Sequence, residues 1–189
     1  MIETLQTGRL LLRPFVPDDL DALTELHAEE SFWWYPLGRG MTPAETAGFL
    51  ARVTQGYESH DHPSLHAVIE RSSGSLVGWA GLSVPLFLPE VLPAIEVGWR
   101  LGEAFRGLGY ATEAGAAGLR WGFNELGLDE IVSIYEPDNV ASGRVMDRLG
   151  FPAGSKTTHP GRGIPLVVRT LTVEAWRSAQ DRWPGPARA

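Results

Sequence analysis

The stretch from Ala94 to Phe151 alternates strand and helix patterns twice. Its predicted elements, in order, are a strand at 94–101, a helix at 110–126 that ends at Gly127, a short buried strand at 131–135 and a helix at 140–149. Two strands that a helix connects in one sheet run parallel, and such crossovers are right-handed. This stretch therefore predicts a βαβ unit with parallel strands.

The flanking sequence adds antiparallel strands and covering helices. Strands are predicted at 7–15, 65–70, 75–83 and 165–172, and helices from Pro17, at 42–55 and at 173–182. Residues 71–74 (RSSG) read as a hairpin turn between two of these strands. The sequence thus predicts an α/β fold class in which helices flank a mixed β-sheet. We expect one domain over residues 1–183 and a disordered tail at 184–189.

Composition excludes several classes of protein. The 189 residues are 43% hydrophobic and 21% charged, which is typical of a globular domain. There is no cysteine, so a disulfide framework, a thiolate metal site and a cysteine nucleophile are excluded. Residues 1–15 lack the apolar run of a signal peptide or a membrane span. We therefore expect a cytoplasmic protein that has no membrane partner.

The formal net charge of −7 bears on the choice of partner. An acidic surface repels phosphate backbones, so no nucleic-acid partner is expected, whereas a cationic amine would be attracted. The alternative is that this charge serves solubility alone.

The loop that enters the helix at residue 110 is the main candidate binding element. Its core reads Arg106-Gly-Leu-Gly-Tyr-Ala111, followed by Thr112. Glycines at 107 and 109 permit torsions that turn successive amides toward one concavity, and a helix N-terminus behind them favours a phosphate or pyrophosphate. An ordinary strand-to-helix turn is the alternative. The loop lacks the Gly-Lys-Ser/Thr of a P-loop and the third glycine of a dinucleotide fingerprint.

Glycines recur along the following helix at positions 115, 118 and 122. Each interior glycine costs a helix about 1 kcal/mol relative to alanine, so three at helical spacing indicate close packing against the sheet or the passage of a ligand. After the next strand, Pro137 stops the pairing and Asn139 is placed to cap a helix. Asn139 is either a cap alone or also reaches the cleft between the strands.

Three motifs in this order resemble the GNAT acetyltransferase superfamily. They are the strand EVGWRL, the loop RGLGYATEA and the helix segment PDNVASGRVMDRLGF. Within the superfamily the pattern is similar to the RimJ/RimL type of ribosomal-protein-alanine N-acetyltransferases. The opening TGRLLLRPFVPDDLDAL, the segment SLVGWAGL and the late VRTLTVEAW extend the resemblance over nearly the whole chain.

The resemblance implies acetyl-coenzyme A as the cosubstrate and no metal. The loop would hold the pyrophosphate through Arg106, Gly107, Leu108, Gly109, Tyr110, Ala111 and Thr112. The strand edge at Gly98, Trp99, Arg100 and Leu101 would pair with the pantetheine arm. Asn139 would bond the pantetheine and Ser142 would lie near the thioester sulfur. The family's sheet would splay between its two parallel strands, near Val97 and Ile134.

Acetylation of an amine by direct attack requires a proton acceptor, an oxyanion donor and a hydrogen bond for the leaving thiolate. Glu96 is the candidate base, acting through water, and the alternative is an exposed strand carboxylate. A tyrosine late in the last helix supplies the acid in many family members, but this chain has Met146 there. Ser142 is the substitute that we favour. The backbone amide of Trp99 or its neighbour would hold the oxyanion.

The acceptor side is less defined by sequence. Trp33, Trp34, Tyr35 and Phe87 either line the acceptor site or pack in the core. His60, His62 and His66 are interpreted as part of a solvated loop because no distal metal ligand matches them. An active N-acetyltransferase is favoured over a non-catalytic coenzyme A-binding regulatory module and over a general nucleotide-binding domain. The amine acceptor, a protein N-terminus or a small molecule, stays open, as does a monomer against a homodimer.

Overall fold

The structure is a computed structural model that describes residues 3–59 and 64–179. The strands in this part of the chain are β1 (Leu5–Gln6), β2 (Leu10–Arg13), β3 (Leu65–Glu70), β4 (Leu76–Ser83), β5 (Glu96–Leu101), β6 (Glu130–Tyr135), β7 (Ser155–Thr158) and β8 (Pro165–Thr172). The α-helices are α1 (Leu20–Ala28), α2 (Trp34–Leu37), α3 (Pro43–Ser59), α4 (Tyr110–Arg120), α5 (Val140–Arg148) and α6 (Val173–Ala179).

All eight strands form one sheet in the order β1-β2-β3-β4-β5-β6-β8-β7. Neighbouring strands are antiparallel except β5 and β6, which are parallel and are connected through α4. The predicted fold class is therefore confirmed: a mixed sheet is flanked by helices.

Strand β3 shows how the core is divided between the two faces of the sheet. Its side chains alternate, as those of any strand do. Val68 packs with the residues under α4, whereas Ala67 and Ile69 pack on the opposite face with residues of α1 and α3. A further cluster on the α4 face combines side chains of α4, α5, β6 and α6.

Four elements differ from the sequence prediction: the end of the helix that begins with α4, the short strand β1, the one-turn helix α2 and the strand β7. The helix predicted to run to residue 126 is α-helical to Arg120 and then widens into a π-helix at Trp121–Glu125, closed by a bond from the Leu126 N–H to the Trp121 carbonyl at 3.0 Å. This wider turn accompanies the burial of two aromatic side chains only two residues apart, Trp121 and Phe123. Strand β7 was not predicted. It is a short edge strand of mostly exposed polar residues, so it has no alternating apolar pattern.

The remaining predictions hold within one to four residues at the element ends. The end of the last predicted helix, residues 180–182, and the predicted tail at 184–189 lie outside the described residues. His60 and His62 lie outside them as well. His66, interpreted from sequence as part of a solvated loop, is instead fully buried on β3, where its Nε2 lies 2.8 Å from the Glu3 carbonyl and its ring meets Trp121.

Candidate active site

The sheet opens between its two parallel strands. β5 and β6 share a single register pair, Glu96 with Val132, next to a hydrogen bond of 2.9 Å from the Val132 N–H to the Ile95 carbonyl. One residue further along, the Ser133 hydroxyl donates to the Val97 carbonyl at 2.9 Å. Beyond this side-chain bridge the two strands separate, and a cleft of about 1600 Å³ lies between them.

The cleft is lined by almost all the residues that the sequence predicted for the site. Every predicted site residue except Trp33 lines it. Strand β5 is fully paired with β4 on its other side, from Gly78 with Leu101 to Ser83 with Glu96. The edge of β5 at 98–101 that faces the cleft is therefore the one able to pair with an extended ligand.

The loop at 106–112 forms one end of the cleft. Gly107 and Gly109 have φ angles of +75° and +83°, and α4 begins at Tyr110. A Cβ on Gly107 would meet no described atom within 4 Å, so the concavity in front of this turn is open. The Thr112 hydroxyl is buried with no hydrogen-bond partner among the described residues. An unpaired buried hydroxyl in the first turn of a helix suits an anion that would supply the missing partner.

Two side chains of the loop point away from this concavity. The Arg106 guanidinium donates to the Leu101 carbonyl at 3.1 Å and to the Ser31 carbonyl at 2.9 Å. The Tyr110 ring is buried in the core and its hydroxyl donates to Glu70. Both residues can therefore serve an anion chiefly through their backbone.

The loop is held by two residues of the turn between β1 and β2 that were not predicted to belong to the site. Arg9 donates through Nη1 to the Leu108 carbonyl at 2.8 Å and through Nε to Glu113 at 2.7 Å. The Thr7 hydroxyl donates to the same carboxylate at 2.6 Å. These bonds join positions about a hundred residues apart, so no local sequence signal marks them.

Helix α5 forms the opposite wall. The side-chain oxygen Oδ1 of Asn139 accepts from the Ser142 N–H at 3.2 Å, so the Asn139 side chain caps α5. Its amide nitrogen is the part left for a ligand. Ser142 is half-buried, and Met146, one turn later, is almost fully buried in the core. Two exposed basic side chains of α5, Arg144 and Arg148, also line the cleft.

Glu96 stands where β5 and β6 separate. Its side chain is half-buried, and desolvation by the surrounding protein raises its pKa to about 8, partly opposed by a hydrogen bond from the Ile134 backbone. A carboxyl that titrates near neutral pH is suited to take a proton from an amine. Side chains alternate along a strand, so Glu96, Gly98 and Arg100 project from one face of β5.

Arg100 was predicted to serve the ligand through its backbone edge, and its side chain has a separate place. The guanidinium donates to the Phe32 carbonyl and, at 2.6 Å, to the Tyr35 carbonyl. Its carbon atom Cζ lies 4.3 Å from the centre of the Trp33 ring. Burial lowers the pKa of Arg100 to about 10. This buried cation ties the segment that carries the predicted acceptor aromatics to β5.

Those aromatic residues divide into two groups. Trp33 is 7% exposed and packs edge-on against His27 and Phe49, so it lies in the core and not in the cleft lining. Trp34, Tyr35 and Phe87 line the cleft on the face that carries Glu96. Phe87 stacks on His159 with ring centres 5.6 Å apart.

The far end of this face contains four polar residues that sequence reasoning missed: Glu136, Asp138, His159 and Arg162. Glu136 directly follows β6 and belongs to the sequence motif, but nothing in the motif shows which way it faces. Arg162 lies on the β7–β8 turn, next to the strand that was not predicted. Only the folded structure shows that these four residues line the same cleft.

The arrangement combines an anion concavity, an unpaired strand edge and a carboxyl that titrates near neutral pH, in that order along one cleft. Within the described ranges, 3–59 and 64–179, no three histidine or acidic side chains are grouped to hold a metal ion. No helix of the same residues is long and apolar enough to cross a membrane.

Comparisons with known proteins find acetyltransferases both by sequence and by structure. A family model described as an acetyltransferase (GNAT) domain matches residues 9–152. The uncharacterized N-acetyltransferase YnaD of Bacillus subtilis is 29% identical over 147 residues, which are 78% of this chain and 81% of the relative. An acetyltransferase structure from Agrobacterium tumefaciens has a TM-score of 0.74 at 28% identity and covers 90% of this chain and 95% of its own.

A structure of the ribosomal α-N-protein acetyltransferase RimL in complex with coenzyme A also shares the fold. Its TM-score is 0.73 at 16% identity, and the match covers 92% of this chain and 99% of that chain. At this identity the likeness shows the fold alone.

Proposed function

Because the chain belongs to the GNAT acetyltransferase family, we propose that it transfers the acetyl group of acetyl-coenzyme A to a primary amine by direct attack in a ternary complex. The observation that carries this proposal is the opening between β5 and β6, which has the anion concavity at one end and Glu96 at its apex. With no cysteine in the chain, an acyl-cysteine intermediate is excluded, which favours direct transfer.

The residues around the opening fit coenzyme A. Backbone amides of 107–112 and the unpaired Thr112 hydroxyl would bind the pyrophosphate, and the edge of β5 at 98–101 would pair with the pantetheine arm. The free amide nitrogen of Asn139 would bond the same arm. When bound, acetyl-coenzyme A supplies an activated acyl group with a thiolate as its leaving group.

Glu96 takes the proton from the acceptor amine, directly or through one water. Its raised pKa means that the carboxyl becomes a base close to the pH at which ammonium groups begin to release protons. The acceptor approaches from the face that Glu96 shares with Tyr35 and Phe87, opposite the concavity that holds the pyrophosphate.

Ser142 donates a hydrogen bond toward the leaving sulfur, and the backbone N–H of Trp99 or its neighbour faces the carbonyl oxygen of the acetyl group. Both residues line the cleft between the concavity and Glu96. Met146 has no proton to donate and is almost fully buried. Ser142 is the hydroxyl one turn before it on the same helix, so both positions project to a similar side.

Met146 also motivates a second candidate, a module that binds coenzyme A for regulation without catalysis. Release of free thiol from acetyl-coenzyme A in the presence of an amine panel separates the two. Thiol release that depends on the amine, together with an acetylated product seen by mass spectrometry, supports transfer. Tight binding of coenzyme A without thiol release for any amine supports the module.

A further inference from the structure

Three segments that are distant in sequence close over the acceptor end of the cleft. Arg162, on the turn between β7 and β8, donates through Nη1 to the Pro36 carbonyl of α2 at 2.7 Å. His159 of the same turn stacks on Phe87 of the loop between β4 and β5. We call the space that these contacts border the acceptor chamber. All four residues line the cleft.

The side chain of Glu136, one of two acidic residues at this end of the cleft, has no hydrogen-bond partner among the described residues. Glu136 follows β6, four residues beyond Val132, which pairs with Glu96. Register partners in neighbouring strands project to the same face, and so does every second residue along a strand, so Glu136 extends the face that carries Glu96. No hydrogen-bond donor or cation contacts its side chain among the described residues, and its partial burial raises its pKa.

The cations nearest to this carboxylate are held by other groups. Arg100 donates to the carbonyls of Phe32 and Tyr35, and Arg162 donates to that of Pro36. Neither guanidinium lies within 4.0 Å of Glu136, as an ion pair would require. The side-chain oxygens of Glu136 are therefore left to water or to a ligand that donates to them.

Aromatic side chains that line the same cleft also suit a cation. Trp34 is 52% exposed and Phe87 is 42% exposed, so their rings are available to a ligand, and Tyr35 lies beside them in the cleft. Aromatic faces attract ammonium groups, more strongly when water is excluded. Desolvation raises the pKa of the Tyr35 hydroxyl, and the negative charges of Asp138 and Glu136 add to that rise. Aromatic faces and carboxylates together form a site of the kind that binds an ammonium group.

We propose that the acceptor chamber binds a second cationic group of the acceptor at Glu136, so that the substrate class is a small molecule with two amino groups. One amine meets the acetyl group near Glu96, and the other is held as an ammonium between Glu136 and the aromatic walls. The proposal rests on the proposed acetyl transfer, whose acceptor it specifies.

The strand geometry sets the distance between the two amines. Four residues of a strand span roughly 13 Å, and the reach of the glutamate side chains shortens the gap, so the two nitrogens of the acceptor lie on the order of 10 Å apart. A flexible diamine or polyamine of that length fits the chamber. A single amine leaves Glu136 unpaired.

The test measures equilibrium binding to the protein saturated with coenzyme A, so it does not depend on turnover. Calorimetry compares 1,7-diaminoheptane with n-heptylamine, which has the same carbon chain and one charge fewer. We expect the wild-type protein to bind the diamine at least about tenfold tighter, as a partly desolvated charge pair allows. In Glu136→Gln this ratio should fall to about one.

Glu130→Gln is the matched control, since Glu130 begins the same strand, is exposed and lies outside the cleft lining. It should keep the wild-type ratio. Equal binding of the two amines by the wild type, no binding of either amine, or a preference that survives in Glu136→Gln would overturn the proposal. A diamine preference in a protein that releases no thiol would contradict acetyl transfer while supporting the second ammonium site.

Discussion

At the scale of single residues, Glu96 has the most informative surroundings. It is held at the only register pair of β5 and β6, where one side is packed protein and the other is the cleft. This position explains a carboxyl with a pKa of about 8 that still reaches a ligand. Desolvation disfavours the charged form, and an open cleft keeps the group accessible to a proton donor.

Glu96→Gln should remove a titration from the pH–rate profile. Since the base is the ionised carboxyl, kcat/KM of the wild type should rise as pH increases through about 8. The variant should keep only the rise that comes from deprotonation of the acceptor amine, and should lose about 10²–10⁴-fold in kcat at pH values above 8. The measurement is steady-state thiol release across pH. A variant with the profile of the wild type would exclude Glu96 as the base.

The same variant should alter stability with a defined sign. The folded pKa of Glu96 is raised above the ordinary 4.5, so the stability that its neutral form contributes is complete below that value and is lost as pH rises toward about 8. Glutamine stays neutral. Thermal unfolding should therefore give similar melting temperatures at acidic pH and a higher one for Glu96→Gln above pH 8. A constant difference across pH would show that burial does not perturb this carboxyl.

Ser142→Ala tests the leaving-group assignment. The substitution removes the hydroxyl but keeps the backbone N–H that bonds Asn139, so the cap of α5 is preserved. We expect kcat to fall by about tenfold to a hundredfold with the affinity for coenzyme A nearly unchanged. Ser178→Ala, on the remote helix α6, is the control. Full activity, or a rise confined to KM for acetyl-coenzyme A, would contradict this role.

At the scale of elements, α4 combines an N-terminus that lines the cleft with a tightly packed body. The glycines of α4 show how closely the body of the helix packs on the sheet. A Cβ on Gly115 would lie 2.9 Å from Leu149 Cδ1 and 3.2 Å from Trp99 Cε3, which is closer than side chains pack. A Cβ on Gly118 would lie 3.4 Å from Val97 Cγ2, its nearest neighbour. The glycine pattern thus reflects packing on the sheet, at unequal closeness.

Alanine at these two positions should have opposite effects on stability. Gly118→Ala should raise the free energy of unfolding by about 0.5–1 kcal/mol because the helix gains propensity and the methyl group fits. Gly115→Ala should lower it by about 1–2 kcal/mol because Leu149 and Trp99 must move in a close-packed core. Urea unfolding followed by circular dichroism measures both. Shifts of the same sign would show that packing does not distinguish the two sites.

At the scale of the whole molecule, the acceptor side is an assembly of loops from separate parts of the chain. The turn between β7 and β8 contacts α2 through Arg162 and Pro36, and it contacts the loop before β5 through His159 and Phe87. The side proposed to bind coenzyme A is formed instead by consecutive elements, from β5 through α5. The proposed acceptor site therefore depends on contacts between segments that are distant in sequence, whereas the proposed coenzyme A site depends on contacts between consecutive elements.

Arg162→Met should weaken binding of the acceptor amine without affecting acetyl-coenzyme A. Loss of the bond to Pro36 should raise KM for the amine by roughly three- to tenfold, equivalent to one hydrogen bond of about 1 kcal/mol, and leave KM for acetyl-coenzyme A unchanged. Arg177→Met, on the exposed surface of α6, is the matched control. Equal effects on both KM values, or none on the amine, would show that the turn does not order the acceptor chamber.

The local structure of the side proposed to bind coenzyme A was largely predictable from sequence because it depends on short segments. The two glycines before α4, the cap at Asn139 and the order of strand and helix from 94 to 151 each follow from turn chemistry and periodicity over a few residues. The opening of the sheet near Val97 was expected from family resemblance, and the structure shows it as the single register pair of β5 and β6.

The residues of the proposed acceptor side could not be predicted from local sequence patterns. Trp33 and Trp34 are adjacent and chemically alike, yet one is buried in the core and the other is half exposed in the cleft, since neighbouring side chains point in different directions. The side chain of Arg100 projects from one face of β5 to the Tyr35 carbonyl, whereas its backbone lies along the strand edge at the cleft. Neither assignment follows from residue type.

The sequence alone determined the fold class, the parallel crossover and the turn that precedes α4, because each depends on short-range patterning of apolar residues, glycines and caps. Tertiary structure alone decided the pKa of Glu96, the unpaired state of Thr112 and Glu136, and the closure of the chamber by Arg162. The physical reason is that desolvation and hydrogen-bond satisfaction depend on which distant segments meet, and the chain brings those segments together only when it folds.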